Sequence, residues 1–390
     1  MPVKKATFHL FLPVGADCFN QPRLFSIFGT HVEIISPVVN HEGNLAQAAV
    51  HERLRLTAYT RDGYIDVRMK RGISIILCSL VALAAMLWCI VNTVFITCDA
   101  PGRPALAHAA LAHELRQSVE ELCAAPRYGE TLQQAEDYIA QTLTDAGYEV
   151  RFQEFLNGGT AYRNIIAERK GSQPGRYIIG AHYDACEPDD EGDSNPGADD
   201  NASAVATLLA LARRLPQTPK HTVEMVFYAC EEPPWFDTEG MGSHHHAQSC
   251  DGQDTLGMIC LEMLGYFSND EGSQPSLFPG QSLLVPGKGD FIAVVGDMDS
   301  LSLARCAAGK LAKRMRTLRA NVPFAHDTEL YFSDHRNYVA RGIPAIMVTD
   351  TSMLRNQRYH EATDTPDSLD YDNMARITAG LLDTIKQLAW

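Results

Sequence analysis

Basic residues are scarce in this chain of 390 residues, where 33 Lys and Arg stand against 48 Asp and Glu and give a formal net charge of −15. A nucleic-acid-binding protein needs Lys and Arg concentrated against the phosphates, so this balance argues against one. The hydrophobic fraction of 45% and the charged fraction of 21% are those of an ordinary globular protein. The acidity lies in residues 99–390, because residues 1–98 carry nine basic and six acidic side chains.

Two sequence motifs are absent as well. None of the ten cysteines forms a Cys-x-x-Cys pair, so a cysteine-based zinc site of the usual spacing is not indicated. No Gly-x-Ser-x-Gly segment occurs, so the chain lacks the nucleophile elbow of serine hydrolases. The segment Ser333-Asp334-His335 is therefore not interpreted as part of a serine triad. Asp334 and His335 are predicted instead to contact the substrate or to support other site residues.

Charged residues are missing from the 26-residue run 73–98, which follows Lys70-Arg71 after a single glycine. About 20 apolar residues are enough for a helix to cross the hydrocarbon core of a membrane, whereas the apolar part of a signal peptide has only ~7–15. We therefore expect one transmembrane helix, with residues 69–98 as the membrane anchor. Basic residues before the run and Asp99 after it predict a cytoplasmic N-terminus, with residues 99–390 in the periplasm or outside the cell.

Residues 1–68 form a poorly defined N-terminal extension without helical periodicity, repeats or a recognisable motif. Met69 is followed by two basic residues and then the apolar run, an order typical of a natural start before an anchor. Our hypothesis is that translation begins at Met69 and that residues 1–68 are not translated. The alternative interpretation is a small cytoplasmic tail.

Predicted strands and helices alternate in residues 99–390. The predicted strands are 149–155, 164–169, 177–183, 223–229, 257–261, 291–295 and 345–348. The predicted helices are 105–123, 131–146, 202–215, 242–248, 301–318 and 371–388. This alternation predicts an α/β fold, a three-layer domain with a mostly parallel central sheet flanked by helices. The Gly-, Pro- and Ser-rich segment 268–289 is predicted to be a surface loop.

Polar residues end nearly every apolar strand of this predicted sheet. Because ligands of such sheets bind beyond the carboxyl ends of the strands, these residues are candidates for the site. They are of metal-ligand types: His182, Asp184, Asp199, Glu231, Glu232, Glu262 and His360. Each signal alone has a plainer explanation, such as a helix N-cap for the Asp-Asp-Asn segment or an exposed turn for the two adjacent glutamates.

Taken together, these residues match a binuclear zinc hydrolase. We predict two Zn²⁺ ions, one bound by His182, Asp199 and Glu262 and the other by Asp199, Glu232 and His360. Asp199 would thus bridge the two ions. Nitrogen and oxygen ligands suit Zn²⁺, and Mn²⁺ or Co²⁺ could replace it.

The motifs HYD, GADDNAS, EEPPWF, LEMLGY and YHEATDTPD occur in this order. They resemble the zinc exopeptidase family that includes bacterial co-catalytic aminopeptidases, glutamate carboxypeptidases and glutaminyl cyclases, over residues 105–390. The resemblance implies the ligand set given above, Glu231 as the general base and Asp184 as the residue that orients His182. Trp235 and Phe236 follow the two glutamates and are predicted to line a side-chain pocket, with core packing as the alternative.

The expected activity is the removal of N-terminal amino acids from peptide substrates, with Glu231 moving a proton from water to the leaving amine. One alternative is glutaminyl cyclisation, an acyl transfer on the same architecture with one zinc ion. The other alternative is a non-catalytic ectodomain of the same fold, although no ligand or base is missing from the sequence.

Overall fold

A computed structural model describes residues 96–100, 108–187, 194–276, 284–322 and 331–390, five strands between residues 26 and 70, and residues 79–80 and 82–83. The chain divides into two compact units, Met1–Ile90 and Val91–Trp390. The predicted domain boundaries and the hypothesis that translation begins at Met69 remain predictions.

The first unit contains short antiparallel pairs of strands. Ser26–Ile27 pairs with Thr30–His31, and Arg53–Thr60 pairs with both Glu33–Ile34 and Gly63–Lys70. Polar and apolar residues alternate in the sequence RLRLTAYT of Arg53–Thr60, which is the period of a strand. A search for helical periodicity alone does not detect this pattern, so no element is predicted there.

Most of the predicted membrane anchor lies outside the described residues. Among the residues that the structure does describe, no helix combines the length and the apolar character needed to cross a membrane. The last residues of the apolar run belong to the sheet of the second unit, because Ile96–Asp99 pairs antiparallel with Thr317–Asn321. The prediction that the anchor extends to residue 98 is therefore wrong at this end, and the rest of it remains a prediction.

One nine-stranded sheet forms the centre of the second unit. Its strands are β1 (Ile96–Asp99), β2 (Val150–Asn157), β3 (Thr160–Arg169), β4 (Arg176–His182), β5 (Thr222–Tyr228), β6 (Thr255–Glu262), β7 (Ile292–Gly296), β8 (Thr317–Asn321) and β9 (Ala345–Thr349). Their order across the sheet is β1-β8-β7-β9-β6-β4-β5-β3-β2.

The sheet is mixed rather than mostly parallel. Four neighbouring pairs are parallel, β5–β4, β4–β6, β6–β9 and β7–β8, and the other four are antiparallel. The prediction is correct for the central strands β5, β4, β6 and β9, which carry the site. It does not hold for the antiparallel pairs β3–β5, β7–β9 and β1–β8. The antiparallel hairpin β2–β3 turns through Gly158 and Gly159, both with positive φ.

Helices pack on the sheet through two separate hydrophobic clusters. The helices are α1 (Ala109–Leu122), α2 (Leu132–Asp145), α3 (Ala204–Ala212), α4 (Gly242–Ser249), α5 (Leu301–Leu311), α6 (His335–Val339) and α7 (Tyr371–Ala389). Ile179 of β4 belongs to the cluster with α1, α2, α3, α5 and α7, and its neighbour Ile178 to the cluster with α4 and α6. Because successive strand residues face opposite sides, the domain has the predicted three layers.

The predicted helix 301–318 is too long. The helix α5 ends at Leu311, and Thr317–Asn321 is the strand β8, parallel to β7. Leu311, Met315 and Leu318 have helical spacing in the sequence, which explains the error. Pairing with β7 and β1 on its two sides determines the conformation of β8 instead.

Candidate metal centre

The carboxyl ends of the parallel central strands bring the candidate ligands together. His182 is the last residue of β4 and Glu262 the last residue of β6, and these strands are neighbours. Glu231 and Glu232 follow β5, on the other side of β4. Because these strands run in one direction, their ends meet at a single edge of the sheet.

The first group of ligand atoms surrounds the ring of His182. Its Nε2 lies 3.3 Å from Oδ1 of Asp200, 3.5 Å from Oε2 of Glu262 and 3.9 Å from Oε2 of Glu231. All four side chains are buried.

The second group surrounds the ring of His360. Its Nε2 lies 3.3 Å from Oδ2 of Asp200 and 3.0 Å from Oε2 of Glu232. The two oxygens of Asp200 therefore face two different histidines, one on each side, as a carboxylate that bridges two ions must.

The structure contradicts the prediction that Asp199 is the bridging residue. Oδ1 of Asp199 accepts a hydrogen bond of 2.8 Å from the backbone N–H of Gly265, and its Oδ2 accepts one of 2.8 Å from Asn356. Burial, together with the neighbouring Asp350, raises the pKa of Asp199 well above its usual value. Adjacent residues of a turn project in different directions, and the sequence Asp-Asp does not reveal which one points to the histidines.

The two groups fit divalent cations. Nε2 of His182, Oδ1 of Asp200, Oε1 of Glu232 and Nε2 of His360 are buried without a hydrogen-bond partner. Unpartnered buried polar atoms are costly, and a cation would satisfy all of them. Separations of 3.0–3.5 Å between the atoms around each histidine match the edge of about 3.3 Å of a tetrahedron of nitrogen and oxygen ligands around zinc.

The carboxylate of Asp184 contacts residues of both ligand groups. Its Oδ1 lies 3.5 Å from Nδ1 of His182. The same carboxylate accepts hydrogen bonds from the backbone N–H groups of Glu231 and Glu232, at 3.2 and 3.1 Å. Asp184 thus holds the turn that carries the two glutamates and lies beside the ring of His182, and its orienting role remains a prediction.

Glu231 faces the His182 group as a buried carboxyl. Burial raises the pKa of Glu231 well above its usual value, and the neighbouring carboxylates of Glu262 and Glu232 add to this shift, while His182 opposes it. A carboxyl group with a raised pKa is suited to accept and release a proton near neutral pH.

Comparison with known proteins identifies the family. The sequence profile of Peptidase family M28 matches residues 164–385, which include every one of the candidate ligands. This chain belongs to peptidase family M28. The family is one of peptidases, so the chain is assigned to the peptide hydrolases, in agreement with the resemblance found in the sequence.

Relatives of this M28 chain include proteins with and without a named activity. It is 41% identical over 258 residues to the uncharacterised protein YfbL of Escherichia coli K12, covering 65% of this chain and 79% of that protein. It is 28% identical to a probable leucine aminopeptidase of Trichophyton verrucosum, over 63% of both chains. A solved glutaminyl cyclase of Porphyromonas gingivalis has the same fold, with a TM-score of 0.56 and 20% identity over 71% of this chain and 98% of that one.

A buried arginine and an aspartate hold the loop of Asp200 in this M28 chain. The guanidinium of Arg127 donates hydrogen bonds to the carbonyl oxygens of Pro196 and Gly197, both at 2.7 Å. Asp364 accepts from the backbone N–H groups of Asp199 and Asp200, at 3.0 and 3.1 Å. Arg127 is missed by sequence reasoning, because a lone Arg between two predicted helices gives no signal.

A second set of polar residues fixes the end of β6. Asn201 donates to the carbonyl of Leu261 at 3.1 Å and accepts from the N–H of Met263 at 2.9 Å, so it holds the backbone on both sides of Glu262. The hydroxyl of Ser333 donates to Oε2 of Glu262 at 2.6 Å. Ser333 is visible in the sequence only as the first member of Ser-Asp-His, and the structure makes it a support for a ligand.

The residues predicted to contact substrate lie in different surroundings. Trp235 is half-buried and packs on the core, and Phe236 contacts Phe332 with ring centroids 5.8 Å apart. Asp334 is buried, and this burial raises its pKa to about 7. His335 is buried and its ring stacks on Tyr331, with centroids 5.3 Å apart. Substrate contact by these four predicted residues remains a prediction.

Proposed function

We propose that this M28 chain is a zinc-dependent aminopeptidase that uses two ions to hydrolyse the N-terminal bond of peptides. One observation carries the proposal: the carboxylate of Asp200 lies between His182 and His360, with one oxygen 3.3 Å from each ring nitrogen. Glu262 completes the first ligand set and Glu232 the second. In this proposal His182, Asp200 and Glu262 hold one ion, and Asp200, Glu232 and His360 hold the other.

The reaction needs a base and a rigid ligand frame. Two bound zinc ions would lower the pKa of a water molecule and polarise the scissile carbonyl group. Glu231 is the base, because its carboxyl is buried beside the His182 group and is not needed as a ligand in either set. It takes a proton from the attacking water and delivers it to the leaving amine nitrogen. Asp184 keeps the ring of His182 oriented and fixes the Glu231 backbone.

Hydrolysis of substrates with a free N-terminus is part of this proposal, and the charge of the centre bears on it. The carboxylates of Asp200, Glu231, Glu232 and Glu262 are concentrated at one sheet edge, with two histidines as their nearest counter-groups. Two bound zinc ions would balance most of this negative charge, so the carboxylates alone do not account for binding of a peptide N-terminus. The probable leucine aminopeptidase among the relatives supports the same class of substrate.

Glutaminyl cyclisation is the second candidate, supported by the fold shared with the P. gingivalis enzyme. In that case one zinc would be expected rather than two. The complete His182 set, with an unpartnered Nε2 of His182 and Oδ1 of Asp200, favours the two-ion peptidase. A non-catalytic role is the weaker alternative, because both ligand sets and the base are complete.

Metal content and substrate preference together test the proposal. The full chain is purified, analysed for metal by mass spectrometry and assayed on aminoacyl-arylamides, N-acetylated peptides and peptides that begin with glutamine. We expect two zinc ions per chain and hydrolysis of free-amine substrates only. One ion per chain with ring closure of N-terminal glutamine would contradict the proposal and establish the second candidate.

We also propose that the peptidase domain is anchored to a membrane and faces the periplasm or the exterior. The support is the uncharged sequence after Lys70-Arg71, which still has 23 residues when residues 96–98 are assigned to β1. A reporter fused after Trp390 that is active only in an extracytoplasmic compartment is the expected result. Cytoplasmic reporter activity or a chain that stays soluble without detergent would contradict the anchor.

A further inference from the structure

Cys186 lies beside the His360 group of the metal centre. Its Sγ, a carboxylate oxygen of Glu232 and a ring nitrogen of His360 all lie within 4.8 Å of one another. The Cys186 thiol donates a hydrogen bond of 3.6 Å to the carbonyl oxygen of Glu187. All seven cysteines among the described residues are free thiols, and Cys186 alone of these belongs to such a group of potential ligands.

Unpartnered polar atoms point into the same space. Glu232 is only 3% exposed, and its Oε1 has no hydrogen-bond partner. Nε2 of His360 has none either. Oδ2 of Asp200 lies 3.3 Å from that nitrogen. The His360 side therefore has nitrogen, carboxylate and sulfur atoms nearby, and all three are ligand types of zinc.

We propose that Cys186 supplies a thiolate ligand to the ion on the His360 side of the centre. The thiol proton passes to water as the metal–sulfur bond forms, and no oxidation is involved. This inference rests on the two-ion centre of the proposed function. The His360 side would then offer a sulfur ligand beside nitrogen and oxygen ligands, whereas the His182 side offers nitrogen and oxygen alone.

The proposal has a consequence for metal choice. Sulfur is a soft ligand that favours zinc and other thiophilic metals over Mn²⁺ or Mg²⁺. The His182 side offers only nitrogen and oxygen atoms and tolerates harder ions. The chain should therefore bind one ion tightly and exchange the other more readily.

The test compares the full-length wild type with Cys186→Ser and with the matched control Cys306→Ser. Cys306 is also a partly exposed free thiol, and it lies on α5 outside the ligand groups. Three readouts are independent of enzymatic activity: the spectrum of the Co²⁺-substituted chain, zinc affinities from competition with a chelator, and alkylation of Cys186 mapped by peptide mass spectrometry.

Wild type and Cys306→Ser should both show thiolate-to-cobalt charge-transfer absorption in the near ultraviolet, and Cys186→Ser should lose it. Zinc should protect Cys186 from alkylation. The affinity for the tighter ion should fall roughly tenfold or more in Cys186→Ser, since even loss of a residue that only supports a ligand costs about 10–100-fold.

Two outcomes contradict the inference in different ways. Equal cobalt spectra and zinc affinities for wild type and Cys186→Ser, with alkylation unaffected by zinc, would overturn the thiolate ligand and leave the two-ion peptidase intact. A wild-type chain that binds no metal would contradict the proposed function itself, and the thiolate ligand with it.

Discussion

The two sides of the candidate centre are built differently. On the His182 side, His182 and Glu262 are the last residues of two paired central strands, and their side chains are 1% and 7% exposed. On the His360 side, Glu232 and His360 lie on loops, and the side chain of His360 is 25% exposed. Strands position side chains more rigidly than loops do. We therefore expect the His182 side to control reactivity and the His360 side to be the more tolerant of change.

The contacts that hold the ligand side chains in place also differ between the two sides. On the His182 side, Asp184 lies behind the ring of His182 and Ser333 donates a hydrogen bond to Glu262. On the His360 side, the ring stacks on Tyr359, with centroids 3.7 Å apart, and the backbone of His360 has a positive φ of 60°. A positive φ is uncommon outside glycine and is found where the surrounding structure imposes it, often at functional sites.

The largest effect is expected from Asp200, the residue that joins the two sides. Asp200→Asn weakens a ligand to each ion, so both ions should be lost and hydrolysis abolished. The loss of affinity should exceed the 10–100-fold that is typical when only a supporting residue is removed, by roughly another order of magnitude. Metal analysis after dialysis, together with the hydrolysis rate, checks this.

Asp199→Asn is the matched control for that change. The amide oxygen can still accept the N–H of Gly265, and the side chain contacts no histidine of the centre among the hydrogen bonds and ion pairs of the described residues. This variant should keep both ions. An Asp199→Asn chain without metal beside an Asp200→Asn chain with two ions would return the bridging role to Asp199.

This pair of aspartates marks the limit of what could be predicted from the sequence. The ends of the apolar strands predict His182, Glu232 and Glu262, because the residues at those ends meet at one edge of a parallel sheet. His360 lies on a loop before the last helix, and its sequence motif predicts it. The orientation of two adjacent aspartates depends on the turn that carries them. That turn is held by Arg127 and Asp364 from distant parts of the chain, and a single sequence does not reveal such contacts.

The same limit applies to the fold. Buried central strands such as β4 and β5 are continuous apolar runs bounded by polar residues, so their position is predictable. The direction of each strand and the position of the shorter edge strands are not predictable in this way. The strand β8 depends on β7 and β1 for its hydrogen bonds, and its own residues continue a helical pattern that starts in α5.

The next largest effect separates chemistry from metal binding. Glu231→Gln should retain both ions and lose roughly 10²–10⁴-fold in kcat, because the amide cannot accept the proton from water. Glu232→Gln is the control on the other side, since it should lower occupancy of the His360-side ion. Metal content and kcat of both variants check the difference. Unchanged kcat in Glu231→Gln would exclude this residue as the base.

Stability should depend on pH in the metal-free protein. Burial raises the pKa of Glu232 from its usual 4.5 to about 7, and that of Asp334 from 3.8 to about 7. Over this interval the folded state holds protons that the unfolded state has released, so the free energy of unfolding falls as the pH rises from about 4 to about 7. Burial opposes the charge on His182, but the carboxylates of Glu231 and Glu262 outweigh it and raise the pKa of its ring, which extends the fall above pH 6.5.

Zinc should reduce this dependence, because metal binding requires the deprotonated carboxylates and neutral histidines of the ligand sets. Unfolding is followed by circular dichroism at pH 5 and pH 7.5 with a chelator or with zinc. The rise in Tm produced by zinc should be greater at pH 7.5. Asp334→Asn, which removes one of the buried acids, should make the metal-free protein less sensitive to pH. A metal-free chain that gains stability between pH 5 and pH 7.5 would contradict the assignment.

The smallest effect tests whether the rigid support of the His182 side matters by itself. The hydroxyl of Ser333 donates to Oε2 of Glu262, the same oxygen that lies 3.5 Å from Nε2 of His182. Ser333→Ala removes this hydrogen bond without touching a ligand, so Glu262 is free to rotate away. We expect affinity for the His182-side ion to fall by about 10–100-fold, with the ion of the His360 side unaffected.

Ser300→Ala provides the control for Ser333→Ala, because Ser300 is equally buried and its hydroxyl donates to the carbonyl of Asp297, just before α5. Zinc affinities of both variants, measured by competition with a chelator, should differ on the His182 side alone. If Ser333→Ala lowered the affinity for both ions equally, the hydrogen bond of Ser333 would support both ligand sets. No weakening at all would mean that the end of β6 positions Glu262 without help from Ser333.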